Sequence, residues 1–176
     1  QRSIGATGVY SDAPADSVPA GALAEALDSS ETGVDVTNSA AIGVGHIIKC
    51  ESERMVVTDK AMLDTGVNID AGDSLLASTA DESITMSTTK NAPVKDEVIL
   101  IDSERMLVVD VAGSVLTVIR GWDGTTLATH AGSADIYALR TLTVQRGALG
   151  TTAAAHDTAT AVTRHAVPPL VRELCI

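Results

Sequence analysis

Four histidines, His46, His130, His156 and His165, are the side chains best suited to acid–base work or metal binding, because imidazole changes charge near neutrality. Asp123 and His130, with serines and threonines nearby, offer the residue types of a hydrolase triad. The sequence holds neither a nucleophile elbow nor a Cys–His arrangement to complete one. Cys50 and Cys175 form no CxxC pair and no Cys/His zinc spacing. P-loop and GxGxxG strings are absent, and the acidic residues lack calcium-loop spacing. His130 and His156 occupy equivalent places in two copies of one repeat, which points to a repeated structural duty. Glu53 and Glu104 read as ion partners at strand ends. The expectation is a chain that is not an enzyme and uses no metal or cofactor.

The elements that hold these residues follow from composition. The chain has 176 residues and is 45% hydrophobic, yet it contains no Phe, one Trp and two Tyr. Val, Ile, Leu, Ala and Thr must fill the core, and β-branched side chains suit a pleated surface. Cores with so little aromatic area are marginal alone, so contacts with further copies are expected. The net charge of −11 and the lack of a basic run disfavour sequence-specific nucleic-acid binding. The longest apolar runs, such as Val98-Ile99-Leu100-Ile101, are too short to span a bilayer, and no membrane association is expected. No apolar leader is visible near the start, and the cysteine usage fits a reduced, cytoplasmic origin.

Two repeats organise the chain. Ser52-Glu53-Arg54-Met55 recurs as Ser103-Glu104-Arg105-Met106, and the flanks from Gly45 and from Asp96 match in kind. The stretch from Leu116-Thr117-Val118 through Arg120, Gly121, Gly124 and Thr125-Thr126 to His130 recurs from Leu142-Thr143-Val144 through Arg146, Gly147, Gly150 and Thr151-Thr152 to His156. The front halves are about 51 residues apart and the back halves about 26, so the order is front, front, back, back. Either one module is nested in another, or the halves exchange strands. The nested reading gives an extended arm over residues 1–20, an outer module over 21–58 and 139–166, an inserted module over 59–138 and a docking segment over 167–176.

The local pattern is β throughout. Met106 to Arg120 reads as a hairpin turning at Ala112-Gly113-Ser114. Residues 34–37 and 84–87 read as equivalent first strands, and 136–139 and 160–163 as closing strands. Residues 20–27 allow a turn or two of helix, and Pro168-Pro169 suits the start of another. The fold class expected is all-β, with two small interleaved barrel-like or sandwich-like modules. Gly121, Gly124, Gly147 and Gly150 would permit a tight loop after a strand. Thr125-Thr126 and Thr151-Thr152 would bond loop backbone, and His130 and His156 would bond a carbonyl. Arg120 is expected to pair with Glu104 or Asp102, and Arg146 with Glu53 or Glu51. Trp122, which stands where the second copy has Ala148, is an intermodule contact or an interface anchor. Val171, Leu174 and Ile176, with Cys175, would form an apolar docking face.

Residues 95–130 resemble a short module of tailed-bacteriophage structural proteins, with the pattern E-x-M-x-V, turn, L-T-V-x-R-G-x-x-G-T-T-A-A-x-H. A split second copy runs through 45–57 and 142–156. In the fuller form of the string, G-T-T-A-A-A-H, Leu127 and Thr129 stand where the pattern has Ala. The resemblance covers about two thirds of the chain, and it implies a virion structural protein without catalysis. Within that class the expected role is a head–tail adaptor in the viral neck, self-associating as a ring and contacting portal, tail or capsid proteins. Other readings are a tail or baseplate component, a capsid decoration protein, or a carbohydrate-binding host-attachment module. Sugar sites usually carry exposed aromatic clusters, and three Trp and Tyr in all rank that last reading low.

Overall fold

The computed structural model describes residues 17–165. Their ten strands are β1 (Ser17–Ala22), β2 (Gly33–Asp35), β3 (Ile47–Cys50), β4 (Glu53–Asn68), β5 (Ser83–Thr85), β6 (Val98–Ile101), β7 (Glu104–Ala112), β8 (Val115–Ile119), β9 (Asp135–Gln145) and β10 (Ala161–His165). Short 3-10 turns at Trp122–Gly124 and Ala148–Gly150 follow β8 and β9. The fold is all-β. Antiparallel pairing orders the strands β1-β10-β3-β4-β9-β6-β7-β8-β5, with β2 also paired to β9. This path is open. Isolated bridges Leu23↔Val36 and Ile69↔Met86 link the segments just after β1 and β4 to those just after β2 and β5.

The buried side chains fall into two clusters. One joins Leu23, Val34, Ile48, Met55, Val57, Leu142, Val144 and Val162 among others. The other joins Val67, Ile69, Leu75, Ile84, Ile99, Met106, Leu116, Val118 and Ile136 among others. Each fully buried Leu, Ile or Met contributes roughly 1.5–3 kcal/mol relative to exposure, so these aliphatics replace the missing aromatics. The strand period explains which residues turn inward. In β9, Ile136, Ala138, Arg140, Leu142 and Val144 alternate inward with less buried neighbours, as successive side chains point to opposite faces.

Strands β4 and β9 belong to both clusters. The first part of β4 serves one core and its end serves the other, and β9 does the reverse. Their pairing shifts register between Val57 and Asp59, between Ala61 and Leu63, and between Asp64 and Val67. Those irregularities let one ribbon twist from the first core into the second. Residues 58–59 and 138–139, the boundaries read from the repeat, lie inside these continuous strands rather than in linkers.

Direction follows from the pairings. β9 runs antiparallel to β4, and β6 antiparallel to β9, so β6 runs with β4. Leu100 pairs Tyr137, which pairs Asp64. The turn after β6 therefore lies toward the far end of β4, whereas the turn after β3 precedes its start. The two repeat motifs sit at opposite ends of the β4–β9 ribbon, separated by roughly 40–50 Å of strand at about 3.3 Å per residue.

Several expectations need correction. β1 begins at Ser17 and Ala20 is buried in the core, so residues 17–20 are not part of an arm. Residues 20–27 form strand and isolated bridges rather than helix. Gly21 at φ +78 breaks a helical path, and the helix-like spacing of Ala20, Leu23 and Leu27 instead serves the core. The first strands are shorter than read, and the closing strand at 136 continues to Gln145. The expected helix beginning at Pro168 and the docking residues Val171, Leu174, Cys175 and Ile176 lie outside the described residues.

Candidate functional site

The hairpin β6–β7 turns at Asp102-Ser103 and delivers Glu104 to a buried position. The end of β8 delivers Arg120 opposite it. Arg120 donates from Nε to Glu104 Oε1 and from Nη2 to Oε2, each at 2.8 Å. Its remaining N–H groups reach the carbonyls of Leu76 at 3.0 Å, Asp81 at 2.8 Å and Ala128 at 2.7 Å. The backbone N–H groups of Gly121 and Ala128 also donate to Glu104, each at 2.9 Å. His130 closes the cluster, with Nε2 3.0 Å from Glu104 Oε2 and Nδ1 2.7 Å from Asp102 Oδ2.

The same cluster recurs at the other end of the ribbon. Arg146 meets both oxygens of Glu53 at 2.7 Å and the carbonyls of Asp28, Glu31 and Ala154 at 2.6–2.8 Å. Gly147 and Ala154 donate their backbone N–H groups to Glu53, each at 3.1 Å. His156 places Nε2 2.9 Å from Glu53 and Nδ1 2.8 Å from Glu51. Thus the inner carboxylates, Glu104 and Glu53, take the arginines, while the turn residues Asp102 and Glu51 take the histidines. Both imidazoles bond carboxylates rather than the carbonyl partner expected for them.

The motif glycines and threonines shape the enclosing loop. Gly121, Gly124, Gly147 and Gly150 all have φ between +60 and +77. A Cβ on Gly121 would lie 3.2 Å from the Thr125 carbonyl, and one on Gly147 would lie 3.0 Å from that of Thr151, while Gly124 and Gly150 face open space. Thr125 Oγ1 accepts the Arg105 N–H at 3.0 Å and donates to the Trp122 carbonyl at 2.9 Å. Thr151 does the same with Arg54 at 3.1 Å and Ala148 at 2.8 Å. Trp122, at the tip of this loop, is 38% exposed.

Electrostatics fix what the clusters can do. Burial alone would raise the Glu53 carboxyl, but Arg146, His156 and the N–H groups of Ala154 and Gly147 outweigh it and hold it at about 2. Glu104 is likewise held at about 2, against burial, by Arg120, His130, Ala128 and Gly121. Such carboxylates are too weakly basic for proton abstraction near neutrality. The beginning of β4 also neighbours Cys50, whose thiol is raised to about 11 by burial and by Glu51 and Glu53.

A third buried ion pair escaped the sequence reading. Arg140 on β9 bonds Glu97 at 2.9 and 2.7 Å and the carbonyls of Asn91 and Ala92 at 2.9 and 3.0 Å. Glu97 also accepts the backbone N–H groups of Ser39 and Val94, each at 3.0 Å. Lys60 caps this junction, donating to the carbonyls of Ser39 at 3.2 Å and Ile42 at 2.8 Å; burial lowers its pKa, against the pull of Glu97. The cluster ties residues of one core to strands of the other. One signal was visible: within the 51-residue repeat, His46 stands where Glu97 falls, and that mismatch marks an ion pair one copy lacks.

Among the described residues, no buried side-chain nitrogen or oxygen lacks a hydrogen-bond partner, and no group of His, Cys, Asp and Glu is arranged to hold a metal. No described helix is long and apolar enough to cross a membrane. No family model matches the chain, and no curated protein or solved structure does.

Proposed function

We propose that the chain is a structural component of a tailed-phage particle, acting as a head–tail adaptor in the neck through protein–protein contacts. One observation carries this reading. In both copies the Glu, Arg and His of the phage-like motif bond one another and the backbone of a loop, and the two loops stand at opposite ends of one ribbon. Buried, fully paired ion clusters fix conformation rather than offer reactive atoms. A rigid element with similar loops at both ends suits a part that is gripped from two sides.

In this reading each core is a small barrel, its strand path brought round by the Leu23↔Val36 or the Ile69↔Met86 bridge. The half-exposed Trp122 is a contact residue, since Trp supplies much of the binding energy of many interfaces. The protein is not an enzyme, and its partners are further copies of itself and neighbouring virion proteins.

Native mass spectrometry of the purified chain tests the assignment. Rings of six or twelve copies are expected. Trimers would replace the neck by capsid decoration, and a monomer with no affinity for phage particles would overturn the structural role.

A further inference from the structure

His130 and His156 face an unusual set of partners. Both ring nitrogens of each lie within 3.0 Å of a carboxylate oxygen, and both rings are buried. An ionised carboxylate only accepts hydrogen bonds, and a neutral imidazole has one N–H to give. Glu104 and Glu53 are committed as carboxylates by the arginine and backbone N–H groups already described. Asp102 and Glu51 are exposed, and an exposed carboxyl is ionised at neutral pH. A neutral ring would therefore aim one buried lone pair at a carboxylate oxygen. An imidazolium satisfies both sides and balances the charge, one cation for each anion.

The backbone supplies independent support. Asp102 has φ 52 and Glu51 has φ 50, at the first position of the two-residue turns joining β6 to β7 and β3 to β4. This left-handed conformation favours Gly, Asn or Asp, so Asp102 suits it, but Glu51 is a poor choice for it. The second copy nonetheless keeps an acid there, and in both copies its side chain meets a ring Nδ1. His46 is the internal contrast: its Nδ1 accepts the Gly43 N–H at 3.0 Å, so that ring carries a lone pair.

We propose that His130 and His156 are doubly protonated in the folded protein and act as a pair of proton-operated latches, each fastening a hairpin tip to the end of the motif loop. The charged groups facing His130 are Asp102 in the turn, Glu104 on β7 and Arg120 after β8. Across it, the segment bridged through Leu75 carries Asp81, whose carboxylate caps the Leu76 N–H. His156 is faced by Glu51, Glu53 and Arg146, with the Cys50 thiol nearby and the Asp28 carboxylate occupied by Ser30 and Glu31. Loss of the ring proton would free the exposed acid to swing into water and would open the tip, so the latches release on the alkaline side.

Nitrogen-15 NMR of the histidine rings in the intact chain at pH 7.5 tests this. At that pH an ordinary imidazole is mostly neutral. Two rings should show both nitrogens protonated, while His46 shows one protonated and one bare nitrogen. Neutral patterns for His130 and His156 would overturn the proposal. In Asp102→Asn and Glu51→Gln the amide can donate to Nδ1, so the corresponding ring should lose its second proton signature. A ring that stayed an imidazolium in its variant would show that the turn acid is not the clamp, and would likewise overturn it.

Discussion

Replacing Arg120 by Met isolates the energetics of one cluster. The substitution keeps a long apolar stem and removes every guanidinium bond. Glu104 would keep only Gly121, Ala128 and His130 as donors, and the carbonyls of Leu76, Asp81 and Ala128 would lose theirs. Arg120 and Glu104 side chains have no exposed surface, so solvent cannot stand in for the missing cation. Removing one member of such a buried pair costs about 3–5 kcal/mol, or roughly 6–20 °C in melting temperature for a chain of this size. Arg105→Met is the control. Its partner Asp123 and Arg105 itself are exposed, and exposed pairs contribute about 0–1 kcal/mol. Thermal unfolding at pH 7 followed by circular dichroism reads both variants. The double variant Arg120→Met/Glu104→Met removes the anion as well, and its loss should fall short of the summed single losses by about 1 kcal/mol or more. A shift for Arg120→Met no larger than that of Arg105→Met, or strict additivity in the double variant, would refute the view that the cluster holds the module together.

Two further outcomes follow from the same geometry. Glu53 and Glu104 are held at about 2, below the ordinary value near 4.3. Carboxyls depressed by folding contribute stability that is fully present above that ordinary value and is lost as pH falls toward about 2. Unfolding free energy measured from pH 6 to pH 2 should therefore fall steeply below about pH 4.5, and Glu53→Gln should flatten that limb. A limb of unchanged slope would contradict the assignment. Gly147→Ala should destabilise more than Gly150→Ala in denaturant titrations. Both adopt a positive φ that costs Ala about 1–2 kcal/mol, but only at Gly147 would the new Cβ also crowd the Thr151 carbonyl; equal losses would argue against that contact.

The sequence made the local pieces legible where two copies could be compared. Glu53 and Glu104, Arg120 and Arg146, and His130 and His156 recur at matched spacings, and a repeated ionisable residue is constrained in the same way twice. The β7–β8 hairpin was readable because Gly113, at φ +61, sits between two Val- and Leu-rich runs. Features that belong to only one copy were not readable. Arg140 has Ala166 at the position 26 residues on, so the repeat marked only the Glu97 side of the bond, through its mismatch with His46, and gave no partner for it. The continuity of β4 was hidden because the repeat placed a module boundary at 58–59, and Asp59, Lys60, Asp64 and Gly66 interrupt the apolar alternation there. They are tolerated because the ribbon there passes between the cores, where exposure is greater and register shifts absorb the irregular pattern. The segment from Ala20 to Leu27 misled because spacing of three and four is shared by a helix stripe and by successive core bridges, and local pattern does not distinguish them.

The uninterrupted strands carry a mechanical consequence. Because β4 and β9 are antiparallel, a pull applied between the start of β4 and the start of β9 acts on opposite ends of the ribbon, so the hydrogen bonds between them are loaded in shear and together, instead of being peeled apart singly. Neither half can extend before the other has lost its share of the same two strands. A stress arriving at one end is thus borne by the paired strands β4 and β9 as a tie rod that runs unbroken through both cores.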